Sequence, residues 1–387
     1  MKSFKKIIHI HYWKRILSAI PGRYCGFDSQ QLMIAHMAIF SLDVLGALDT
    51  VEDKQKIIDW IYSLQVVPNK RSTNLHRCGF RGGGSIGECD NEYNTSHVAM
   101  TYCAIASLLI LGDDLSRVHK KACLEGIKVL QLSDGSFTET SADNGERDLR
   151  FVYCACCVCK MLDDFTYINV KKACIFIKNT FTYDGGFGQS SCNESHGGST
   201  FCAIAALDIL GKLDEVLNKK EQWRLKSWCI WLQRNGFHGR PHKEDDTCYT
   251  FWVGGTMKIL GIIDLIDKRK MIDYVLSTQE DLVGGFSKWP DLPPDPLHTY
   301  TGISGLSLLD AFDLKPVDPA LNITNTAVFN MNSLHKIWKI KAKNTKELNK
   351  KIDTLDINYK NLAIAVIIGI SPVLIGKLHY LIFNQNP

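Results

Sequence analysis

The start of the chain lacks the clean apolar core of a secretory leader, because lysine, arginine and histidine interrupt residues 1–24. An excess of charge of one sign is also missing. The chain has 45 lysines and arginines against 41 aspartates and glutamates, a net charge of +4, which does not favour nucleic acid as a partner. The apolar run at residues 362–376 is shorter than the roughly 20 residues of a membrane span, and Pro372 interrupts it.

Cysteine, by contrast, is abundant, with 14 residues, several of them inside apolar runs such as residues 154–159. In such a run cysteine behaves as a small buried hydrophobe, so we favour packing there, with a metal cluster as the alternative. Free thiols in a chain without an export leader are typical of a reducing compartment. We therefore expect a cytoplasmic protein that contacts a membrane only through its C-terminal tail, if at all.

Turns of the form Gly-Phe or Gly-Ser-Phe divide the chain into similar units. They end at Phe80, Phe137, Phe187, Phe237 and Phe286, which are 57, 50, 50 and 49 residues apart. Apolar helical stretches rich in small residues recur in step, near Thr101, Thr200, Thr250 and Thr299. A period of about 50 residues with two helices per unit indicates a helical repeat, and small residues let the second helices crowd together. The pattern predicts an all-α fold, an α/α barrel of helical hairpins.

The repeat fades towards the C-terminus, which sets the expected domain boundaries. We assign residues 1–325 to the barrel, residues 326–360 to a lysine-rich extension and residues 361–387 to an apolar tail whose role stays open. A lysine-rich segment of this kind is typical of a solvated helix or a mobile tail.

Polar residues recur just before the second helices of the repeat. His97, His196 and Asp246 each precede a repeat threonine by four residues, and His298 precedes Thr299. We expect them on one rim of the barrel, at helix N-termini, where free N–H groups and positive potential favour anions. This rim is a candidate site for an anion and a metal.

The segment at residues 239–252 concentrates this chemistry. Asp246 is the expected N-cap of a helix that runs to about Leu260. Cys248 would then lie in the first turn, where the helix dipole stabilises a thiolate. Asp246 and Cys248 are plausible zinc ligands, and His298 is the best third ligand. Arg240 and Lys243 resemble anion binders, although each of these residues alone has an ordinary structural explanation.

Several motifs, in this order, resemble the β subunits of CaaX prenyltransferases, and among them protein geranylgeranyltransferase type I. The resemblance runs from about residue 17 to about residue 324, and includes residues 111–118 (Leu-Gly-Asp-Asp-Leu-Ser-Arg-Val) and 194–200 (Glu-Ser-His-Gly-Gly-Ser-Thr). It implies an α/α barrel that forms a heterodimer with a helical-repeat α subunit, which farnesyltransferase shares in this family. It also implies transfer from geranylgeranyl diphosphate to small GTPases of the Rho, Rac and Rap types whose CaaX motif ends mostly in leucine.

The resemblance carries over onto particular residues. The implied ligands of one zinc ion are Asp246, Cys248 and His298, and its open fourth position takes the substrate thiolate, which attacks the isoprenoid as diphosphate leaves. The implied diphosphate site comprises His196, Gly197, Gly198, Arg240, Pro241, His242, Lys243 and Tyr249. Lys243 and Tyr249 also act in catalysis by this analogy.

The same resemblance covers the remaining substrate contacts. Lys288 stands where the farnesyl enzymes have an aspartate that holds magnesium, so its ammonium replaces that charge and magnesium is not required. The C-terminal carboxylate of the peptide is approached by His97, Glu146 and Arg150, through water. The implied aromatic walls of the lipid site include Tyr102, Tyr153 and Trp252.

Two positions depart from the family pattern and keep an alternative open. Met33 replaces a small threonine that distinguishes geranylgeranyl enzymes, and Thr301 replaces a phenylalanine near the last residues of the peptide. Methionine is flexible enough to admit the longer lipid, but a farnesyl or mixed-specificity transferase is the alternative. A helical-repeat scaffold without catalysis is another. An isoprenoid cyclase is disfavoured, because residues 244–247 do not supply an Asp-x-Asp-Asp motif.

Overall fold

The computed structural model describes residues 2–20, 22–85, 93–142 and 145–367, without the side chains of residues 23–25 and 348–367. Its helices are α1 (Lys6–Ser18), α2 (Gln31–Val44), α3 (Lys54–Ser63), α4 (Val98–Ile110), α5 (Lys120–Leu130), α6 (Leu149–Met161), α7 (Val170–Asn179), α8 (Gly197–Leu210), α9 (Leu213–Val216), α10 (Lys219–Trp231), α11 (Tyr249–Ile259), α12 (Lys268–Ser277), α13 (Pro296–Leu308) and α14 (Asn325–Ile367). Two short antiparallel pairs join β1 (Gln65–Val66) to β2 (Gly79–Phe80) and β3 (Val317–Asp318) to β4 (Ile323–Thr324).

Six helices form a closed inner ring. Helix α2 packs on α4, followed by α6, α8, α11 and α13, and α13 returns to α2. The ring helices are almost wholly buried, whereas the outer helices bury one face, as α5 does with Cys123, Ile127 and Leu130. Such an apolar stripe is the mark of a helix that covers a core. The predicted α/α barrel is thus confirmed, including the closure that the repeat favoured but did not prove.

Small residues set the spacing inside the ring. A Cβ atom at Gly305 of α13 would lie 2.5 Å from Cγ2 of Thr250 on α11, and one at Gly255 would lie 3.0 Å from the ring of Phe201. Only glycine permits these helices to approach so closely. The small residues of the repeat therefore have the packing role that the sequence indicated.

The repeat turns are tied to the ring by a recurring hydrogen bond. The five turn phenylalanines are fully buried. The backbone N–H groups of Phe80, Phe187 and Phe286 donate to the hydroxyls of Thr101, Thr200 and Thr299, at 2.9–3.0 Å. Among the described residues, the hydroxyl of Thr250 has no such partner, so the unit that contains Asp246 departs from the repeat.

Helix α1 packs against the last repeat turn, which ends at Phe286. The imidazole of His9 accepts the N–H of Gly285 at 3.0 Å and stacks on the ring of Phe286. Its other ring nitrogen lies 3.0 Å from the side-chain oxygen of Gln279. Contacts of His9 therefore hold the first helix of the chain against the last repeat turn.

The chain divides into two compact units, Met1–Met331 and Asn332–Pro387. Within the second unit, α14 continues to Ile367, and residues 368–387, which include most of the predicted apolar tail, lie outside the described residues. In the part that is described, no helix combines the length and apolar character needed to cross a bilayer. The boundaries expected at residues 325 and 360 stay predictions.

Candidate metal and anion site

Polar side chains cap the ring helices at one end of the barrel. His97 caps α4 and His196 caps α8, and each imidazole accepts backbone N–H groups of its own helix. Asp148 caps α6 and Asp295 caps α13 in the same way. The placement of His97 and His196 at helix N-termini agrees with the sequence interpretation. Asp148 and Asp295 were not predicted.

The expected cap of helix α11 is shifted. The structure places Cys248, not Asp246, at the N-cap, so Cys248 does not lie in the first turn. The cause is a tight turn ahead of the helix, in which the N–H groups of Tyr249 and Thr250 bond three residues back, to Asp246 and Thr247. Asp246 still acts as an acceptor at this helix end, because its Oδ1 accepts the N–H of Cys248 at 2.9 Å.

The shifted turn brings three metal-ligating groups together. One donor atom each of Asp246, Cys248 and His298 lies within 4.8 Å of the other two. Oδ1 of Asp246 is 3.3 Å from Nε2 of His298. Asp246 and Cys248 are buried, and His298 is nearly so. A thiolate, an imidazole and a carboxylate that leave one position open are the donor set of a catalytic zinc site, so these residues fit the ion.

No other such group occurs among the described residues. In particular, the cysteines of residues 154–159 are buried as free thiols in helix α6. Within the part of the chain that the structure describes, the packing interpretation of this run therefore prevails over a metal cluster.

A neighbouring carboxylate orients the imidazole of His298, and a neighbouring ammonium adds positive charge to the site. Nδ1 of His298 lies 2.6 Å from Oδ2 of Asp295, which turns Nε2 towards Asp246. A carboxylate behind a histidine in this way fixes the tautomer of a metal ligand. In addition, Nζ of Lys288 lies 3.8 Å from Oδ2 of Asp246. The sequence resemblance had indicated Lys288, and the structure places it beside the three donors.

The environment of Cys248 and His298 raises the pKa of both side chains. Burial, together with the Asp246 carboxylate, raises the pKa of the Cys248 thiol well above its usual range. In the absence of a bound cation, burial therefore favours the protonated thiol. Burial opposes the charge on His298, but hydrogen bonds with Asp246 and Asp295 raise its pKa to about 9. A bound cation must therefore displace protons from both ligands.

His196 and Tyr249 form a second polar pair, next to the three donors. Nδ1 of His196 accepts the N–H of Gly198 at 3.0 Å, and Nε2 lies 2.9 Å from the hydroxyl of Tyr249. Burial, followed by the nearby Arg240 cation, lowers the pKa of His196. The neutral ring must therefore carry its proton on Nε2, because Nδ1 is an acceptor. Tyr249 consequently accepts from His196 and keeps its own proton for another acceptor.

Glycines make room for this tyrosine. A Cβ atom at Gly239 would lie 1.9 Å from Cζ of Tyr249, and one at Gly197 would lie 2.9 Å from Cδ1. The N–H of Gly197 donates to the carbonyl of Gly239 at 2.9 Å, which joins these two backbone segments. The tyrosine position thus depends on two residues without side chains.

The predicted cations lie on the turn that follows Gly239. Nη1 of Arg240 pairs with Oε2 of Glu194 at 2.9 Å, and both side chains are well exposed. The N–H of Lys243 donates to the carbonyl of Arg240, with His242 between them in a left-handed conformation. Pro241, His242 and Lys243 are exposed. This turn therefore presents its charges to solvent at the edge of the site.

The three residues predicted to contact a peptide carboxylate lie around the start of α6. The guanidinium of Arg150 pairs with Asp148 at 2.6 Å and with Glu146 at 2.5 Å. Gln189 donates to the same Asp148 carboxylate at 2.7 Å. Nε2 of His97 lies 3.6 Å from Glu139. Asp148 holds Arg150 in place, and its only signal in the sequence is its position just before a helix.

Aromatic side chains follow successive ring helices. The ring of Tyr102 lies 5.9 Å from that of Tyr153, which lies 5.4 Å from Phe201, which in turn lies 5.3 Å from Trp252. These are distances of favourable aromatic packing. Phe201, which links Tyr153 and Trp252, was missed, although it occupies the same repeat position as Tyr102.

Comparison with known proteins identifies the family of the chain in two steps. The model of the "Prenyltransferase alpha-alpha toroid domain" family matches residues 4–323. Two curated relatives are named geranylgeranyl transferase type-1 subunit beta. The Dictyostelium discoideum protein is 37% identical over 82% of this chain and 94% of its own. The Arabidopsis thaliana protein is 39% identical over 83% of this chain and 89% of its own.

The chain therefore belongs to the prenyltransferase alpha-alpha toroid family of enzymes, among the geranylgeranyl transferase type-1 β subunits. A solved structure of Candida albicans protein geranylgeranyltransferase-I, complexed with GGPP, is also similar. It has a TM-score of 0.78 and 26% identity, and the match covers 86% of this chain and 99% of that one. The resemblance stated from the motifs is thus confirmed, and a scaffold without catalysis is set aside.

Proposed function

We propose that this chain is the catalytic β subunit of a zinc-dependent protein geranylgeranyltransferase type I. It transfers the geranylgeranyl group of geranylgeranyl diphosphate to the cysteine of C-terminal CaaX motifs that end mostly in leucine, as in small GTPases of the Rho, Rac and Rap types. The observation that carries this proposal is the meeting of Asp246, Cys248 and His298 within 4.8 Å. They lie next to the His196–Tyr249 pair, in which His196 caps helix α8.

The three donors would hold zinc, which supplies a Lewis acid that lowers the pKa of a substrate thiol in the open position. Asp295 orients His298 for this task. Lys288, 3.8 Å from Asp246, adds a fixed positive charge beside the reacting groups. We propose that this charge makes magnesium unnecessary.

The leaving diphosphate gains negative charge as its bond to the isoprenoid breaks, so donors aimed at it act mainly in the transition state. Tyr249 is such a donor, because His196 occupies the lone pair of its oxygen and leaves its proton free to donate. Arg240 and Lys243 provide the cations. The ion pair of Arg240 with Glu194 is exposed and therefore exchanges readily for a phosphate oxygen.

The remaining contacts complete the proposed substrate site. His97, Glu146 and Arg150 receive the peptide carboxylate through water, with Arg150 held by Asp148. The isoprenoid lies along the aromatic series of Tyr102, Tyr153 and Trp252. We further propose a heterodimer with a prenyltransferase α subunit and a cytoplasmic location, which the free thiols of the described cysteines favour.

Zinc stoichiometry tests the ligand assignment. Cys248→Ala removes one of three ligands, so the variant co-expressed with an α subunit is expected to lose most bound zinc and most transfer activity. Cys229→Ala is the matched control, because Cys229 is also buried, in α10, and is not one of the three donors. Full zinc content in Cys248→Ala, measured by atomic absorption, would refute the assignment.

A farnesyl or mixed preference is the second candidate. It is favoured by Met33, a half-buried residue of α2, where the family's geranylgeranyl enzymes are expected to have a smaller threonine. Competition between the two diphosphates distinguishes the candidates, since they share the same chemistry at the metal.

A further inference from the structure

Within residues 332–347, one face of helix α14 carries four lysines. Lys336, Lys339, Lys343 and Lys346 follow one another at spacings of three, four and three residues, which places them in a single row about 15 Å long. All four side chains are exposed. We call this row the lysine face. A fifth lysine, Lys341, is also exposed.

The charge pattern of the lysine face differs from that of an ordinary solvated helix. Solvated helices usually alternate acids with bases, because opposite charges three or four residues apart stabilise the helix and like charges destabilise it. Residues 332–347 contain five lysines and one acid, Glu347, which lies 3.9 Å from Lys343. This part of the helix therefore carries a net positive charge, which complements an anionic partner.

Apolar side chains adjoin the lysine face. Ile337 is 45% exposed and Ile340 is 60% exposed. A helical position one residue after Lys336 or Lys339 points to the side of the row, so each isoleucine flanks the lysines. A row of lysines beside exposed isoleucines is the composition of helices that lie in the interface of a lipid bilayer.

We propose that the lysine face of α14, with Ile337 and Ile340, binds the surface of an anionic lipid bilayer. The lysines approach the lipid phosphates and carboxylates, while the two isoleucines enter the boundary between headgroups and acyl chains. This contact is peripheral and needs no membrane-spanning helix. It is a binding function separate from the proposed transferase chemistry and does not depend on it.

Charge complementarity sets the expected behaviour. A lysine near an anionic membrane surface is worth about 1 kcal/mol, which corresponds to a factor of about five in partitioning per residue. The attraction extends over about 10 Å at 0.1 M salt and shrinks at higher salt. Membrane binding should therefore be strong at low ionic strength, weaken steeply with salt, and be absent on neutral lipid.

The test is vesicle sedimentation of the full chain, in the assembly in which it purifies, with vesicles of equal parts phosphatidylcholine and phosphatidylserine. The test variant replaces the four lysines of the face by glutamine. The control variant makes the same change at Lys121, Lys171, Lys219 and Lys270, four exposed lysines of the outer barrel helices. Both variants lose the same net charge, so they differ only in where it is lost. A third variant, Ile337→Ser with Ile340→Ser, tests the apolar contribution.

We expect the lysine-face variant to lose at least about tenfold in partitioning at low salt, while the control variant retains most of its binding. The isoleucine variant should dissociate at a lower salt concentration than the parent chain. Equal loss in the test and control variants would overturn the proposal. So would equal binding to pure phosphatidylcholine, or binding of the chain to heparin without binding to the anionic vesicles. Unchanged transfer activity in the lysine-face variant would separate this result from any failure of the proposed catalysis.

Discussion

Oδ2 of Asp295 lies 2.6 Å from Nδ1 of His298, and Oδ1 of the same carboxylate accepts the N–H of His298. One aspartate therefore caps helix α13 and fixes the ring of a proposed metal ligand. Asp295→Asn should reduce zinc affinity about 10- to 100-fold, because the amide orients the imidazole less well. Chelator competition measures this.

Asp267→Asn provides the control, since Asp267 caps helix α12 in the same manner and has no metal ligand beside it. If capping alone mattered, both variants would be less stable and neither would change its zinc affinity. That outcome would remove Asp295 from the metal site.

Gly239→Ala should disrupt the anion site and leave the metal site intact. The new methyl group would overlap the ring of Tyr249, whose Cζ lies 1.9 Å from the Cβ position, so the hydroxyl must leave His196. We expect transfer to slow by about 100-fold, the usual effect of losing one transition-state donor, with zinc content unchanged. Single-turnover kinetics measures the chemical step.

Gly254→Ala is the matched control for that change. It lies in helix α11, which follows this turn, and an added Cβ there would meet Cδ1 of Ile263 at an ordinary contact distance of 3.9 Å. Equal rates in the two variants would show that Tyr249 does not need its observed position.

Lys288→Asp should create a requirement for magnesium. The lysine ammonium lies 3.8 Å from Asp246, and its replacement by a carboxylate removes one positive charge and adds a cation ligand. The variant should be slow without magnesium and recover as magnesium is added. Lys288→Gln separates the two effects, because it removes the charge without supplying a ligand, and magnesium should not rescue it. A Lys288→Asp rate that ignores magnesium would contradict this role.

Buried histidines should make the fold sensitive to acid. Burial lowers the pKa of His36 from 6.5 to about 4. The unfolded chain therefore takes up this proton first as pH falls below 6.5, and the stabilising contribution of the neutral ring is lost between pH 6.5 and 4. At pH 5.5 this amounts to about 1.4 kcal/mol for one such histidine.

His36→Phe should flatten the decline of the unfolding free energy between pH 7 and pH 5, measured by urea denaturation. The exposed His119, changed to Phe, is the control and should leave the slope unaltered. Identical slopes in all three proteins would show that His36 does not set the acid sensitivity.

The period of the repeat was sufficient to predict the barrel, because each unit carries its own buried phenylalanine and its own small-residue helix. The sequence favoured ring closure but did not prove it, since closure depends on contacts between α2 and α13, which lie far apart along the chain. The three proposed metal ligands were identified from their chemistry and from the family resemblance. Their convergence within 4.8 Å is a structural finding.

The errors in the site have physical causes. Helix α11 begins at Tyr249 because a turn with bonds three residues back precedes it, and propensity does not reveal such a turn. Asp295 had a usable signal that was missed. It follows Phe286 by nine residues, as His196 follows Phe187 and Asp246 follows Phe237. Asp148 lacks that spacing, and only its contacts with Arg150 and Gln189 disclose its role.

The most direct test of the account is prenyl transfer by this chain co-expressed with a prenyltransferase α subunit. The assay supplies zinc, omits magnesium and offers geranylgeranyl and farnesyl diphosphate in competition to a CaaX peptide that ends in leucine. The account predicts preferential transfer of the geranylgeranyl group. Absence of transfer of either lipid, with zinc bound and the heterodimer intact, would contradict it.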